Sequence, residues 1–169
     1  MSISHDFLTS ILDYDPESGL FFWKNLEGNK KRLNGKVAGA KHIQGYWMLQ
    51  IKEQRFLAHR LAWFYVHKEW PAKNIDHIDR NKLNNKITNL RLGDQSQNSA
   101  NQKIKKNNQS GIKGVSYRRD IKKWRARIMV NRKEITLGVF ETSEDASLAY
   151  RQAASKYFGA FAFSGVEDA

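Results

Sequence analysis

Ile75-Asp76-His77-Ile78-Asp79 sets a carboxylate directly beside an imidazole, and an Asn-rich run follows: Asn81, Asn84, Asn85 and Asn89, then Asn98 and Asn101. The Asp-His pair falls on a short run that reads as a strand, and Leu90 to Leu92 reads as a second one. Asp94 is placed to cap a helix from Gln95 to about Lys105, with Asn98 in its first turns and Asn101 one turn later. The order is therefore strand, strand, helix.

Upstream, Phe7 to Leu12 is a short apolar-periodic stretch ending in Asp13-Tyr14-Asp15-Pro16, whose Asp-Pro step and Ser18-Gly19 read as a turn. Strand-like pieces follow at Leu20 to Trp23 and Tyr46 to Ile51, with Gly35, Gly39 and Gly45 at turns. Phe56 to Val66 then reads as a helix closed by Trp70-Pro71. Downstream, Lys103 to Gly111 is polar and basic with little to bury, which predicts a linker.

Beyond it, strict alternation in Trp124-Arg125-Ala126-Arg127-Ile128-Met129-Val130 turns Trp124, Ala126, Ile128 and Val130 toward a core and Arg125, Arg127 and Met129 outward. Glu134 to Val139 repeats the pattern with Ile135, Leu137 and Val139 inward. Thr142-Ser143-Glu144-Asp145 starts a helix whose apolar stripe is Ala146, Ala149, Tyr150, Ala153, Ala154 and Tyr157. Arg118 joins Arg125 and Arg127 on the uncovered face, and Arg119, Lys122, Lys123, Arg132 and Lys133 stand at strand ends. A half-covered sheet studded with arginines is a groove binder in form.

The expected class is α+β. A small N-terminal sheet with one helix leads into the strand, strand, helix motif, and a three-stranded antiparallel sheet packed on one helix follows. The expected boundaries are 1–106, with the motif at about 72–106, a linker at 107–112, and 113–169.

Charge narrows the partner. The chain of 169 residues carries 29 Lys and Arg against 17 Asp and Glu, a formal net charge of +12. Neutralising phosphates releases condensed counterions, so a polyanion is the expected partner. No apolar run reaches the roughly 18 residues of a membrane span, and no N-terminal signal pattern is seen, which puts nucleic acid ahead of a membrane as the expected partner, and the cysteine-free composition suits a cytoplasmic protein. The absence of cysteine removes disulfides, thiolate catalysis and any Cys-bound structural zinc. Packing must hold the fold, and 5 Trp, 6 Tyr and 9 Phe are available for it.

Phosphodiester hydrolysis needs a nucleophilic water, a base for its proton, and positive charge on the crowded phosphate. His77 is the natural base. Asp76 offers a hard oxygen suited to Mg2+ or Mn2+, and Asn98 on the following helix offers a second. Asn89 is placed to fix the loop or to orient the His77 ring. Neighbours on a regular strand point to opposite faces, so Asp76 and His77 share a site only where the strand twists or ends. The residues admit a second reading, in which Asp76 and Asp79 are turn residues and the Asn run only makes Asx-turns. His59 is read as a hydrogen-bonded packing residue, and Arg60 as a phosphate contact.

His59-Arg60-Leu61-Ala62-Trp63, then Ile75 to Asn85, Asn89-Leu90-Arg91 and Gln97-Asn98-Ser99-Ala100-Asn101, together resemble the phage HNH homing endonucleases over roughly residues 10–105. The resemblance implies a ββα-metal fold, His77 at the general-base position, Asp76 and Asn98 at the metal-ligand positions, and Asn89 at the middle Asn supporting the histidine loop. In the variant it resembles, Asn98 replaces the last His of the name. The chain departs at Arg80, where such proteins often carry Gly.

Gly114-Val115-Ser116-Tyr117-Arg118 through Leu137 to Ala146, with Ala149-Tyr150, is similar to the DNA-binding domain of plant ethylene-response factors, the Apetala type. That similarity implies a sheet in the DNA major groove, with Lys113, Ser116, Arg118, Arg127, Met129, Glu134 and Thr136 facing it. Several of these positions normally carry Arg or Trp, so the fold transfers and the plant specificity does not. The expectation is a metal-dependent, site-specific endonuclease on double-stranded DNA, nicking as a monomer and requiring a dimer or a second event for double-strand cleavage. The competing expectation is a sequence-specific DNA-binding protein that keeps the fold without cutting. An RNA-binding protein is disfavoured, because no aromatic platform or Gly-loop signature is present.

Overall fold

In the computed structural model, residues 3–102, 104 and 108–162 are described. Contacts divide the chain into two compact units, Met1–Leu92 and Gly93–Ala169. Helices and small antiparallel sheets alternate in each, an α+β arrangement.

The first unit opens with α1 (His5–Ile11), β1 (Leu12–Asp15) and β2 (Leu20–Trp23), the two strands pairing antiparallel from Leu12 opposite Trp23 to Asp15 opposite Leu20. The turn expected at Asp15-Pro16 and Ser18-Gly19 lies between the two strands, over residues 16–19. Leu12 and Tyr14 alternate inward on β1, and Asp15 closes an Asx-turn by accepting the Glu17 N–H at 3.0 Å. Gly19 at the end of that turn has φ +72°, and a Cβ there would collide with the backbone of Asn85 and Lys86. The N-terminal hairpin thus presses on the Asn-rich loop, where only glycine leaves room.

β3 (Ala40–Lys41), β4 (Trp47–Ile51) and β5 (Gln54–Leu57) form a three-stranded sheet, followed by α2 (Ala58–His67). Phe56 and Leu57, expected in the helix, belong to β5 and pair with Leu49 and Met48. Both suit a pleated surface, and cross-strand packing overrides helical periodicity there. The helix stops at Lys68, whose φ of +60° forms a left-handed cap before Trp70-Pro71. Leu8, Leu12, Phe21, Leu49 and Leu61 are wholly buried at the centre of this unit. β6 (Asn74–His77) pairs with β7 (Leu90–Gly93) as a two-stranded sheet.

The second unit begins with α3 (Gln95–Asn101). The expected extension to Lys105 is corrected, because Gln102 is extended at φ −65° and ψ 146°, which ends the helix. Residues 103, 105, 106 and 107 of the expected linker lie outside the described residues. Its described part is tied down: Asn108 Nδ2 donates to Ile112 O at 3.0 Å and Ser110 Oγ to Val115 O at 2.7 Å.

β8 (Val115–Arg118), β9 (Lys123–Val130) and β10 (Lys133–Phe140) then form an antiparallel sheet ordered β10-β9-β8, covered on one face by α4 (Ser143–Phe158). The Thr142 hydroxyl caps α4 by accepting the Asp145 N–H at 3.1 Å. Two inward assignments are corrected. A bulge between Thr136 and Gly138 slips the β10 register by one residue, so Val139 pairs with Arg125, shares its outward face and is 45% exposed, while Phe140 turns in. Tyr157 is 42% exposed, and Phe158 takes the buried end of the α4 stripe.

Candidate nuclease site and DNA-binding face

His77 ends β6, where its ring is buried, and its surroundings come from three segments. The His59 ring from α2 packs edge-on at 5.0 Å between centroids, and Tyr46 lies 6.2 Å away. From the loop, Asn85 Oδ1 stands 3.2 Å from His77 Nε2. Asn85 Nδ2 donates to Leu83 O at 3.2 Å, which fixes which end of the amide is which. The acceptor end therefore faces the imidazole, a contact that the tautomer with its proton on Nε2 satisfies. Burial lowers the His77 pKa from its ordinary value more than the Asn85 bond and the Asp79 and Asp76 charges raise it, so the ring is neutral near pH 7. His59 is driven further, to about 3, by burial and then by the His77 and Arg60 charges. It is a neutral wall of the site.

The Asn run is built around Asp79. Its carboxylate accepts Asn81 N–H at 2.8 Å, Asn89 Nδ2 at 2.9 Å and Asn84 Nδ2 at 2.6 Å. Asn89 also accepts the Asp79 N–H through Oδ1 at 3.0 Å and donates to Asn84 O at 2.8 Å. Burial pushes the Asp79 pKa up, but these bonds outweigh it and hold the carboxyl below its ordinary value. Of the two roles open to Asn89, the bonds give the loop; Asn85, an unassigned member of the run, is the one that meets the His77 ring. The Asx-turn reading describes Asp79, Asn81 and Asn84, and Asp76 stands apart from it. Arg80 sits in this turn at φ +64°, the left-handed conformation in which glycine costs least.

Asp76, beside His77 at the end of β6, is engaged by Arg91. Its Oδ2 accepts Arg91 Nε at 2.8 Å and Nη2 at 2.7 Å, with the carboxylate only 10% exposed. In the second unit, Asn98 Oδ1 is buried with no hydrogen-bond partner among the described residues, and a Cβ on Gly93 would occupy the space beside it. A buried amide oxygen kept open by a glycine is the type of donor a hard divalent cation accepts, as is the Asp76 carboxylate. Among the described residues no three His, Asp or Glu side chains group as metal ligands. By its chemistry each donor suits an oxygen-bound Mg2+ or Mn2+, and neither belongs to an all-protein cage among the described residues.

On the C-terminal sheet, Ser116, Arg125 and Val139 form one outward row, Arg127 and Thr136 the next, Met129 and Glu134 a third, with Arg118 paired to Lys123 at the far end. Arg127 Nη1 contacts Glu134 Oε2 at 2.7 Å, and Arg118 Nε donates to Asp120 Oδ1 at 2.8 Å. Arg119 is exposed in the β8–β9 turn. Lys133 pairs with Val130 and so starts on the other side of the sheet, at the hairpin end. Lys113 meets the Ser99 and Ala100 carbonyls of α3 and that of its cap residue Gln102, instead of standing on the open face of the sheet. Arg60 donates to Pro71 O at 3.4 Å.

A family model described as HNH endonuclease matches residues 56–100, and an AP2 domain model matches residues 110–160. Protein 3.8 of Escherichia phage T7 is 38% identical over 90 residues, covering 48% of this chain and 74% of that protein. The chain belongs to the HNH endonuclease family. An uncharacterized HNH endonuclease of Acanthamoeba polyphaga mimivirus is 36% identical over 88 residues, 52% of this chain and 44% of that protein. No solved structure matches. The HNH match contains His59, Asp76, His77, Asn85, Asn89 and Asn98, and the AP2 match contains the whole open face of the sheet, which together support a nuclease or DNA-binding role on DNA. Among the described residues no helix is long and apolar enough to cross a membrane.

Proposed function

We propose that this HNH protein is a metal-dependent, site-specific endonuclease of the homing type that nicks double-stranded DNA, leaving a 5′ phosphate and a 3′ hydroxyl. The observation that carries the reading is the buried, neutral His77 imidazole, whose Nε2 is fixed by Asn85. In this role Nδ1 takes the proton of the attacking water, and Asn85 and His59 hold the ring in place. Asn89 keeps the histidine loop in register through Asp79. Asp76, oriented by Arg91, and Asn98 supply the oxygen ligands for Mg2+ or Mn2+. That ion, when bound, neutralises the phosphate and stabilises the leaving 3′ oxygen.

Arg119, Arg125, Arg127, Ser116, Met129 and Thr136 meet the duplex from the sheet, with Arg118 and Lys133 at its ends and Arg60 on phosphate. One site serves one phosphate, so the monomer nicks and double-strand cleavage takes a dimer or a second event. The working place of such a protein is the bacterial cytoplasm, whether it is encoded by a phage or by the host. A DNA-binding protein without cleavage is favoured by one feature, the engagement of Asp76 Oδ2 by Arg91.

Supercoiled plasmid incubated with Mg2+ or Mn2+, with EDTA, and with His77→Ala separates the two. Metal-dependent nicking that His77→Ala loses while still binding DNA is the expected result. Binding without cutting over a wide panel of DNA gives the second reading the lead.

A further inference from the structure

Lys113 does not face open solvent as a phosphate contact would. Its Nζ donates to Ser99 O at 3.0 Å, Ala100 O at 2.6 Å and Gln102 O at 2.7 Å, at the C-terminal end of α3. Ser99 O also accepts the capping Gln102 N–H at 3.3 Å, whereas carbonyls at a helix end in general lack intrahelical donors, and a cation beside them opposes the negative end of the helix dipole. An ammonium has three N–H donors, and three carbonyls meet it here.

α3 has seven residues, too few to persist on its own propensity. Its N-terminus is closed by a capping box between Asp94 and Gln97, with both bonds at 2.8 Å. Further contacts to it come from the C-terminal module. Ala100 is buried in the same core as Ala126, Ile128 and Ala154. Ser96 Oγ accepts the N–H of Asn131 from the β9–β10 turn at 3.1 Å. A Cβ on Gly93 would lie 2.8 Å from the Phe161 ring. An open cleft of about 430 Å³ beside α3, lined by Ser96, Ser99, Lys113, Tyr150 and Phe158, leaves part of the helix without apolar cover. The polar anchors at its two ends set its position.

We propose that Lys113 is a positioning residue for the metal site. It fixes α3, and with it the Asn98 amide, to the DNA-binding sheet, so that the module that holds the duplex also carries one ligand of the catalytic ion. The proposal rests on the nuclease reading above.

The test compares full-length wild type with Lys113→Met and Lys113→Arg. Three quantities are read: amide hydrogen exchange over residues 95–102, Mn2+ uptake in the presence of duplex followed by electron paramagnetic resonance, and duplex affinity as a function of salt. Lys113→Met is expected to speed exchange in α3 roughly tenfold, the scale of losing charge-assisted hydrogen bonds. It is also expected to weaken Mn2+ uptake roughly fivefold or more while duplex affinity stays within about twofold. Lys113→Arg, which keeps the charge, recovers part of both losses.

Unchanged exchange and Mn2+ uptake in Lys113→Met, beside a wild type that cuts, overturn this proposal alone. So does a loss confined to duplex affinity with a salt slope smaller by about 0.9, which would make Lys113 a phosphate contact. A wild type that neither nicks nor takes up Mn2+ removes the nuclease reading and this proposal with it.

Discussion

Replacing Asn85 by Asp keeps the shape of the side chain that meets His77 and changes only its charge. The wild-type amide lies 3.2 Å from Nε2, is wholly buried, and leaves His77 with a pKa lowered by burial, so cleavage is expected to be pH-independent from about pH 7 upward. A carboxylate there places unit charges about 4 Å apart, worth about 4 kcal/mol at an effective dielectric of about 20. At about 1.36 kcal/mol per pH unit this favours the imidazolium by about three units, of which burial of the new carboxylate takes back about one. The sign is upward: the imidazolium persists to higher pH, and an imidazolium accepts no proton. Asn85→Asp should therefore cut slowly at pH 7 and recover toward pH 9, with the midpoint of its rate profile displaced upward by about two pH units. Single-turnover nicking rates between about pH 5.5 and 9.5, with circular dichroism to confirm folding, measure this. A profile that overlays the wild type would refute Asn85 as the partner of the catalytic imidazole, and a uniform loss without displacement would make it merely structural.

His59 links the same site to stability. Its folded pKa of about 3 lies below the ordinary 6.5, so between those values only the unfolded chain takes up the proton, and stability falls by up to about 5 kcal/mol as pH drops through that window. His59→Phe should flatten this part of a melting-temperature profile, and an unchanged slope would assign the acid sensitivity elsewhere. Tyr14 Oη donates to Asn85 O at 2.7 Å from a buried ring whose pKa burial raises to about 12. Tyr14→Phe should lower unfolding free energy by about 1–2 kcal/mol in urea titrations, and a loss near zero would mean that water replaces the hydroxyl. On the open sheet, Glu134 partners Arg127 at 2.7 Å. Glu134→Gln should tighten duplex binding several-fold and steepen its salt dependence by about one charge between about 50 and 200 mM salt, and anisotropy titrations showing no change would place that face away from DNA.

Much of this was legible in the sequence. The strand, strand, helix order around Asp76 and His77, the Asp94 cap, the Thr142 cap and the alternation of β9 all follow from local rules, and local hydrogen bonding or side-chain period enforces them in the fold. The misread places are those where a partner strand or a packed element decides. β5 claims Phe56 and Leu57 from the helix by pairing with β4, and a bulge at Thr136–Gly138 turns Val139 outward where strict alternation turns it in.

The candidate site divides along the same line. Composition and spacing by themselves determined that this basic chain places a base, oxygen ligands and an Asn-rich loop in one stretch, because these depend on residue type and short-range order. Only the tertiary structure decided that Asn85 holds the His77 ring, that His59 walls it, that Arg91 occupies Asp76, and that Lys113 serves α3. Each of those pairings joins separate elements or depends on how a loop turns back on its strand. Which polar group meets which is set by packing and burial, and no pattern along the chain encodes it.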